Sequence, residues 1–189
     1  MTPGMLSGGF GDASSQSARA FRAVMEAMAR PGTLHTVTGA RPPLPLSVAA
    51  GVLILTLCDG TTPVYLAHAF DLAEVRTWIT FHTGAPFVAA EAASFAIGDW
   101  AGLTPVSRFA IGTPEYPDRS ATLIVEMGAL TATGHRLTGP GIESHAALSL
   151  PDLAPFRANR ALFPQGFDTY LTCGAQLAAL PRSTIVESL

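Results

Sequence analysis

The stretch LSVAAGVLILTLCDGTTPVYLAH, residues 46–68, decides the fold class. Leu46 to Cys58 is apolar on nearly all sides, which predicts a helix buried all round and not an amphipathic surface helix. Asp59-Gly60 interrupts it with a turn, and Pro63 to His68 predicts a short strand. A buried helix leading through a tight turn into a strand points to an α/β chain.

Upstream, Arg41-Pro42-Pro43-Leu44-Pro45 is a stiff connector. Before it, Asp12, Ser14 and Ser15 are alternative N-caps of a helix running to about Ala29. Ala18, Phe21, Val24, Met25 and Met28 fall on one face of that helix, and Arg22, Glu26 and Arg30 form an i,i+4 ladder on the other. Pro31-Gly32 stops the helix, and the alternation of Thr33 to Thr38 predicts a strand. Residues 1–11, rich in glycine, read as a flexible or partner-ordered arm, leaving 12–189 as one domain.

Downstream, Asp71 is placed to cap a helix through about His82, with Leu72, Val75, Trp78 and Ile79 on its apolar face. Ser94 to Ile97 predicts a strand, and Asp99 to Arg119 is irregular. Ala121 to Met127 predicts an apolar strand with Leu130 to Leu137 as its pairing partner, and Ile142 to Leu150 supplies a third. A helix at Leu153 to Leu162 precedes strands at Phe167 to Thr172 and Ser183 to Glu187. Helices alternate with strands early and strands predominate late, the pattern of a mixed sheet with helices on both faces.

The 189 residues carry 48 % hydrophobic and only 13 % charged positions. Disorder is excluded, because so much apolar surface drives burial. A folded monomer of 19.6 kDa exposes roughly 8,600 Å², over which 11 basic and 14 acidic residues make a sparse coat. Interface cores are depleted in charge, so this sparseness fits a surface partly covered by other chains. Every basic residue is Arg. Without a lysine amine no aldimine to pyridoxal phosphate can form, and no Walker A loop is possible. Net charge −3 gives no basic footprint for nucleic acid. Leu46 to Cys58, the longest apolar run, is too short to span a bilayer. Cys58 and Cys173 read as reduced thiols of a cytoplasmic protein.

Local signatures of catalysis are missing. His35, His68, His82, His135 and His145 have no zinc-ligand spacing, and no Gly-x-Ser-x-Gly or Gly-x-Gly-x-x-Gly string occurs. Thr138-Gly139-Pro140-Gly141-Ile142 could turn backbone N–H groups toward an anion, but Pro140 removes a donor and a tight turn is the simpler reading. Three Arg-bearing turns remain: Arg30-Pro31-Gly32, Pro117-Asp118-Arg119 and Leu180-Pro181-Arg182. Each offers a guanidinium fork to an anion or a partner chain. Asp168, after Phe163-Pro164-Gln165-Gly166-Phe167, is placed to pair with one of them and hold two chain ends together.

In this order the turns resemble the PhnH subunit family of the bacterial carbon–phosphorus lyase system. The likeness runs through Gly8-Gly9-Phe10, Phe21-Arg22, Arg30-Pro31-Gly32, Gly112-Thr113, Pro117, Ser120 to Leu123, Leu137 to Ile142, Phe163-Pro164, Gly166, Asp168 and Leu180 to Thr184. Ala13 and Gln165 depart from the family pattern, Gln165 replacing a commonly basic residue, and Ser183 keeps the hydroxyl of the usual Thr. The resemblance implies an α/β/α three-layer sandwich similar to pyridoxal-phosphate-dependent transferases but without that cofactor. It also implies a homodimer when isolated, and assembly with PhnG, PhnI, PhnJ and PhnK-type subunits. With PhnG, PhnI and PhnL-type proteins the family supports displacement of adenine from ATP by an alkylphosphonate. The chain is then expected to be a non-catalytic subunit with no metal and no cofactor, with Arg30, Arg119 and Arg182 as candidate anion or partner contacts. Pro31, Gly32, Gly139, Pro140, Gly141, Pro164, Gly166, Asp168 and Pro181 carry the structural motifs. Two rival readings are an independent small-anion or nucleotide-binding module on a degenerate transferase fold, and a stand-alone transferase pairing His135 or His145 with Asp168.

Overall fold

The computed structural model describes residues 7–188. Helix α1 (Ala13–Ala29) begins where the Asp12 carboxylate accepts the Ser15 N–H and ends at Arg30. β1 (His35–Thr36) follows, then the buried helix α2 (Val48–Leu57), capped by the Ser47 hydroxyl, and β2 (Val64–Leu66). Next come α3 (Ala73–Thr83), β3 (Phe95–Asp99) and the short α4 (Trp100–Leu103). The second half runs β4 (Thr122–Glu126), β5 (His135–Thr138), β6 (Ala146–Leu148), α5 (Ala154–Ala161), β7 (Asp168–Cys173), β8 (Gln176–Leu180) and β9 (Ile185–Ser188).

A six-stranded mixed sheet has the order β1-β8-β7-β4-β3-β2, with β2, β3, β4 and β7 parallel, β8 antiparallel to β7, and β1 antiparallel to β8. Its centre reads as a continuous apolar run because neighbouring residues on a strand face opposite ways: Leu123, Ile124 and Val125 are all fully buried. A second, antiparallel sheet has the order β6-β5-β9. α1 packs on α2 and β8, α2 on β7 and α3, α4 on β3 and β4, and α5 on β9. One core cluster joins both sheets, from Leu53 and Ile97 to Leu137, Leu148 and Val186.

The structure corrects several expectations. α1 turns Ala20, Val24 and Ala27 inward and leaves Phe21 and Met25 half exposed, at 50 % and 51 %. Small side chains let α1 lie close on α2 and β8, a spacing that Phe21 would not permit. The strand expected over Thr33 to Thr38 shrinks to two residues. Asp71 does not cap α3; its carboxylate pairs with Arg76, and Leu72 precedes the helix without a side-chain cap. β5 does not pair with β4, both of whose edges are occupied by the parallel β3 and β7; it joins β6 and β9 instead. β8 is a strand the sequence reading did not expect: it pairs with β7 through the tight Gly174-Ala175 turn, with Gly174 at φ +57°.

Of the arm at 1–11, residues 1–6 lie outside the described residues. Residues 7–11 are fastened to the body. Trp78 Nε1 donates to the Ser7 carbonyl at 3.0 Å, and the Arg41 N–H donates to the Gly8 carbonyl at 2.8 Å. At Gly8, φ is +95° and a Cβ would stand 2.1 Å from the Arg41 oxygen, so this docking needs glycine. Among the described residues, no helix is long and apolar enough to cross a membrane.

Candidate functional site

Antiparallel pairing of β7 with β8 sets Thr169 opposite Leu180, so the chain leaving β8 at Pro181 passes beside Asp168. There Arg182 becomes the centre of a network. Its backbone N–H donates to Asp168 Oδ1 at 2.8 Å, while Nε reaches Oδ1 at 3.1 Å and Nη2 reaches Oδ2 at 2.6 Å. Nη1 donates to the Pro117 carbonyl at 2.6 Å, and Nη2 also to Ser120 Oγ at 2.5 Å. The two charged side chains are only 13 % and 24 % exposed. With bidentate geometry and two further acceptors, most of the guanidinium's donors are satisfied inside the protein.

The motif after α5 belongs to the same network. Gln165 Nε2 donates to the Gly112 carbonyl at 2.9 Å, and the Gly166 N–H donates to the Ile111 carbonyl at 2.9 Å. Gln165 thus makes a neutral bond to a backbone carbonyl. Phe163-Pro164 is a cis peptide at an exposed bend. Asn159, buried on the inner face of α5 three residues after Phe156, grips both backbone groups of Phe167, donating from Nδ2 at 2.8 Å and accepting at Oδ1 at 2.9 Å. Sequence reasoning missed Asn159; its signal was a lone amide on the apolar side of a short helix.

A second cluster lies one step along the chain. Pro31 and Gly32, buried after α1, meet the β5–β6 connection: Gly32 packs against Ala146 and Leu137. Gly139 faces the backbone of Ser183 and Thr184. Gly141, at φ +80°, sits so near the Ala29 carbonyl that a Cβ would stand 1.9 Å from its oxygen. Pro140 is exposed at the tip of this turn, across which the Ile142 N–H donates to the Gly139 carbonyl at 3.2 Å. The turn holds the end of α1.

The three candidate arginines are thus not gathered into one clamp. Arg30 pairs with Glu26 at 2.9 Å on the exposed side of α1. Arg119 lies over the Tyr116 ring at 4.0 Å and lines an open groove of about 500 Å³ with Glu91, Ser94, Asp118, Ser120 and Thr122. Arg182 is locked to Asp168. Among the described residues, no histidine approaches Asp168 by hydrogen bond; His35 bonds Thr33 Oγ1 at 2.9 Å, and His82 packs against Trp78 at 5.0 Å between centroids. Among the described residues, no three His, Cys, Asp or Glu side chains converge as metal donors.

Burial sets the titration of Glu126 and Cys58, as it does that of Tyr170, pushed up to about 12. Glu126, at the carboxyl end of β4, accepts the Ser47 N–H at 2.6 Å and so ties β4 to the start of α2. Desolvation raises its pKa above the ordinary carboxylate value, outweighing the bonds from Ser47 and Thr172 that pull it down. Burial pushes the Cys58 thiol up to about 12, which leaves it protonated and unreactive at neutral pH.

Three comparisons bear on this architecture. The family described as bacterial phosphonate metabolism protein (PhnH) matches residues 8–187, a span containing both clusters. The alpha-D-ribose 1-methylphosphonate 5-triphosphate synthase subunit PhnH of Rhizobium meliloti (strain 1021) is 42 % identical over 193 aligned positions, covering 97 % of this chain and 96 % of that protein. The Stutzerimonas stutzeri protein named "Putative C-P lyase subunit protein HtxG" is 29 % identical over 175 positions, covering 89 % of this chain and 84 % of that one.

Proposed function

The chain belongs to the PhnH family of bacterial phosphonate metabolism proteins, and from that premise we propose that it is a non-catalytic subunit of the assembly that makes alpha-D-ribose 1-methylphosphonate 5-triphosphate. The observation that carries this reading is the 42 % identity, over nearly the whole of both chains, to a subunit of that synthase. In the reaction a phosphonate oxygen bonds to C1′ of the ATP ribose, the C1′–N9 bond breaks, and adenine leaves with a proton. An oxocarbenium-like transition state asks for positioning and charge stabilisation. The arginine best organised for that work, Arg182, is already held by Asp168, Pro117 and Ser120. That internal use supports a chain that completes the assembly while a PhnI-type partner carries the chemistry.

The partners proposed are PhnG, PhnI, PhnJ and PhnK-type subunits, with a PhnL-type protein joining functionally, in the cytoplasm, and a homodimer when the chain is alone. The mixed six-stranded sheet with a parallel centre supports reading the fold as a three-layer α/β/α sandwich akin to pyridoxal-phosphate-dependent transferases. The absence of lysine from all 189 residues supports operation without that cofactor. The test is adenine release from ATP and methylphosphonate. We expect none from the purified chain, little from the partners without it, and full activity on reconstitution. Adenine release by the purified chain alone would overturn the proposal.

A second reading, a small-anion or nucleotide module, is favoured by the groove that Arg119 lines with Ser94 and Thr122, although the carboxylates of Glu91 and Asp118 line it too. It predicts thermal stabilisation of the purified chain by ATP or methylphosphonate. Ligand at 100 times Kd would contribute about 2.7 kcal/mol. No shift at millimolar ligand removes this reading.

A further inference from the structure

The end of the molecule built from α5, β9 and the bend between α5 and β7 combines exposed apolar side chains with unpaired positive charge. Leu162 and Phe163 stand exposed beyond α5, and Ile185 stands exposed at the start of β9. Between them runs an open groove of about 480 Å³ lined by Arg157, Arg160, Ala161, Ile185, Val186 and Glu187. The Arg160 guanidinium lies 5.0 Å from the centroid of Phe163. Beyond this groove, Gln165 bonds the Gly112 carbonyl, and in the loop that follows, Arg119 lies over the exposed Tyr116 ring.

The charges here have no internal answer. Among the described residues, no carboxylate pairs with Arg157, Arg160 or Arg119, and Glu187 is turned to Arg136 at 3.8 Å. Arg160 Nε is buried without an acceptor. Arg and aromatic side chains at the centre of an apolar patch are the composition of an interface hot spot. A guanidinium already stacked on a ring loses little freedom when a carboxylate meets it.

We propose that this surface docks an acidic protein partner, another subunit of the assembly that sets carboxylates on either side of an apolar side chain. The inference rests on reading the chain as such a subunit. Charge complementarity selects the occupant. A second copy meeting the same face about a two-fold axis would oppose like charges. A small anion would leave the floor of Ala161, Ile185 and Val186 uncovered. Strand addition to β9 is hindered because Arg157 Nε already bonds the Val186 carbonyl at 3.1 Å.

The experiment uses the tagged full-length chain in its native host, with co-eluting proteins identified by mass and quantified. Arg160→Glu and Ile185→Asp are expected to reduce recovery of the other phosphonate subunits at least tenfold, and raised salt to weaken recovery by wild type. Met25→Glu, on the exposed side of α1, should leave recovery unchanged. Phe163→Ser serves as a further variant should either of the first two fail to fold, judged by circular dichroism and Tm. Undiminished recovery by the folded variants would overturn the surface. So would loss of a second copy of this chain in place of other subunits, or stabilisation by pyrophosphate that disappears in Arg160→Glu. Recovery of no phosphonate subunit by wild type would sink the subunit reading itself, a result distinguishable from failure of this surface.

Discussion

Arg182 shows how much one side chain can organise. It joins the end of β8 to the start of β7 and to the loop Pro117–Ser120, segments distant in sequence. Replacing it by Ala removes the side-chain donors to Asp168 Oδ2, the Pro117 carbonyl and Ser120 Oγ, and leaves Asp168 Oδ1 only the backbone N–H of residue 182. We expect Arg182→Ala to lower stability by about 1.5–3 kcal/mol, the scale of lost charge-assisted hydrogen bonds. Arg182→Lys should recover only part, since one ammonium cannot reproduce the fork. Denaturant unfolding measures both; an unchanged midpoint for Arg182→Ala would show the network to be inert. Glu126 is the opposite case, a carboxylate that the fold holds against desolvation. Because its folded pKa is raised, its protonated form favours folding. That contribution is fully present below the unfolded carboxylate pKa of about 4.3 and is lost as pH rises through the folded value. Glu126→Gln keeps an acceptor for the Ser47 N–H and cannot ionise. Its stability relative to wild type should therefore be most favourable at neutral pH and fall back as pH drops toward 4, read from Tm across that range. A difference that is flat with pH would refute the assignment. The motif pairing of Asp168 with an Arg turn was legible from the sequence, because both groups flank strands. Which Arg it would be was not, since that depends on the β7–β8 register.

At the scale of elements, α1 is the instructive failure. Local signals located the helix and offered Asp12 as one of three caps, and the expected face was right at Val24, but packing buried Ala20 and Ala27 beside it in place of Phe21 and Met25. Hydrophobicity per residue ranks Phe and Met above Ala, whereas the distance of closest approach to α2 and β8 rewards the smaller side chain. Ala27→Leu is accordingly expected to cost about 1–3 kcal/mol by overpacking. Met25→Glu should stay within about 0.5 kcal/mol of wild type. Urea denaturation of the two variants decides it, and the reverse order would restore the original face. The buried helix α2 needed no such choice, being apolar all round, and was placed from the sequence to within two residues. Strand pairing lies at the other extreme. β5 and β4 are neighbours in sequence and equally suited to a ladder, yet the parallel strands on either side of β4 exclude β5 from the sheet.

At the scale of the molecule, the sparse charge is spread over a surface of ordinary size. The exposed surface is 8,916 Å², close to the expectation for a folded chain of this mass. At the α5–β9 end Leu162, Phe163 and Ile185 stand exposed beside Arg157 and Arg160, which pair with no carboxylate among the described residues, while Phe21, Leu44 and Phe81 are exposed elsewhere. The family motifs prove to be mainly architecture: glycines at close backbone approaches, an Asp–Arg pair, and turns that fasten α1 to the second sheet. The sequence by itself determined the α/β class, the positions of the long helices, the absence of lysine chemistry and, through ordered motifs, the family. These are local or compositional properties, set by side-chain period, turn residues and the groups the chain contains. Only the tertiary structure decided which face of α1 is buried, which strands pair, that Arg182 is held internally while Arg157, Arg160 and Arg119 are left without carboxylates. Those outcomes depend on contacts between residues far apart in the chain, where competing partners have nearly equal local propensity and the choice is made by packing.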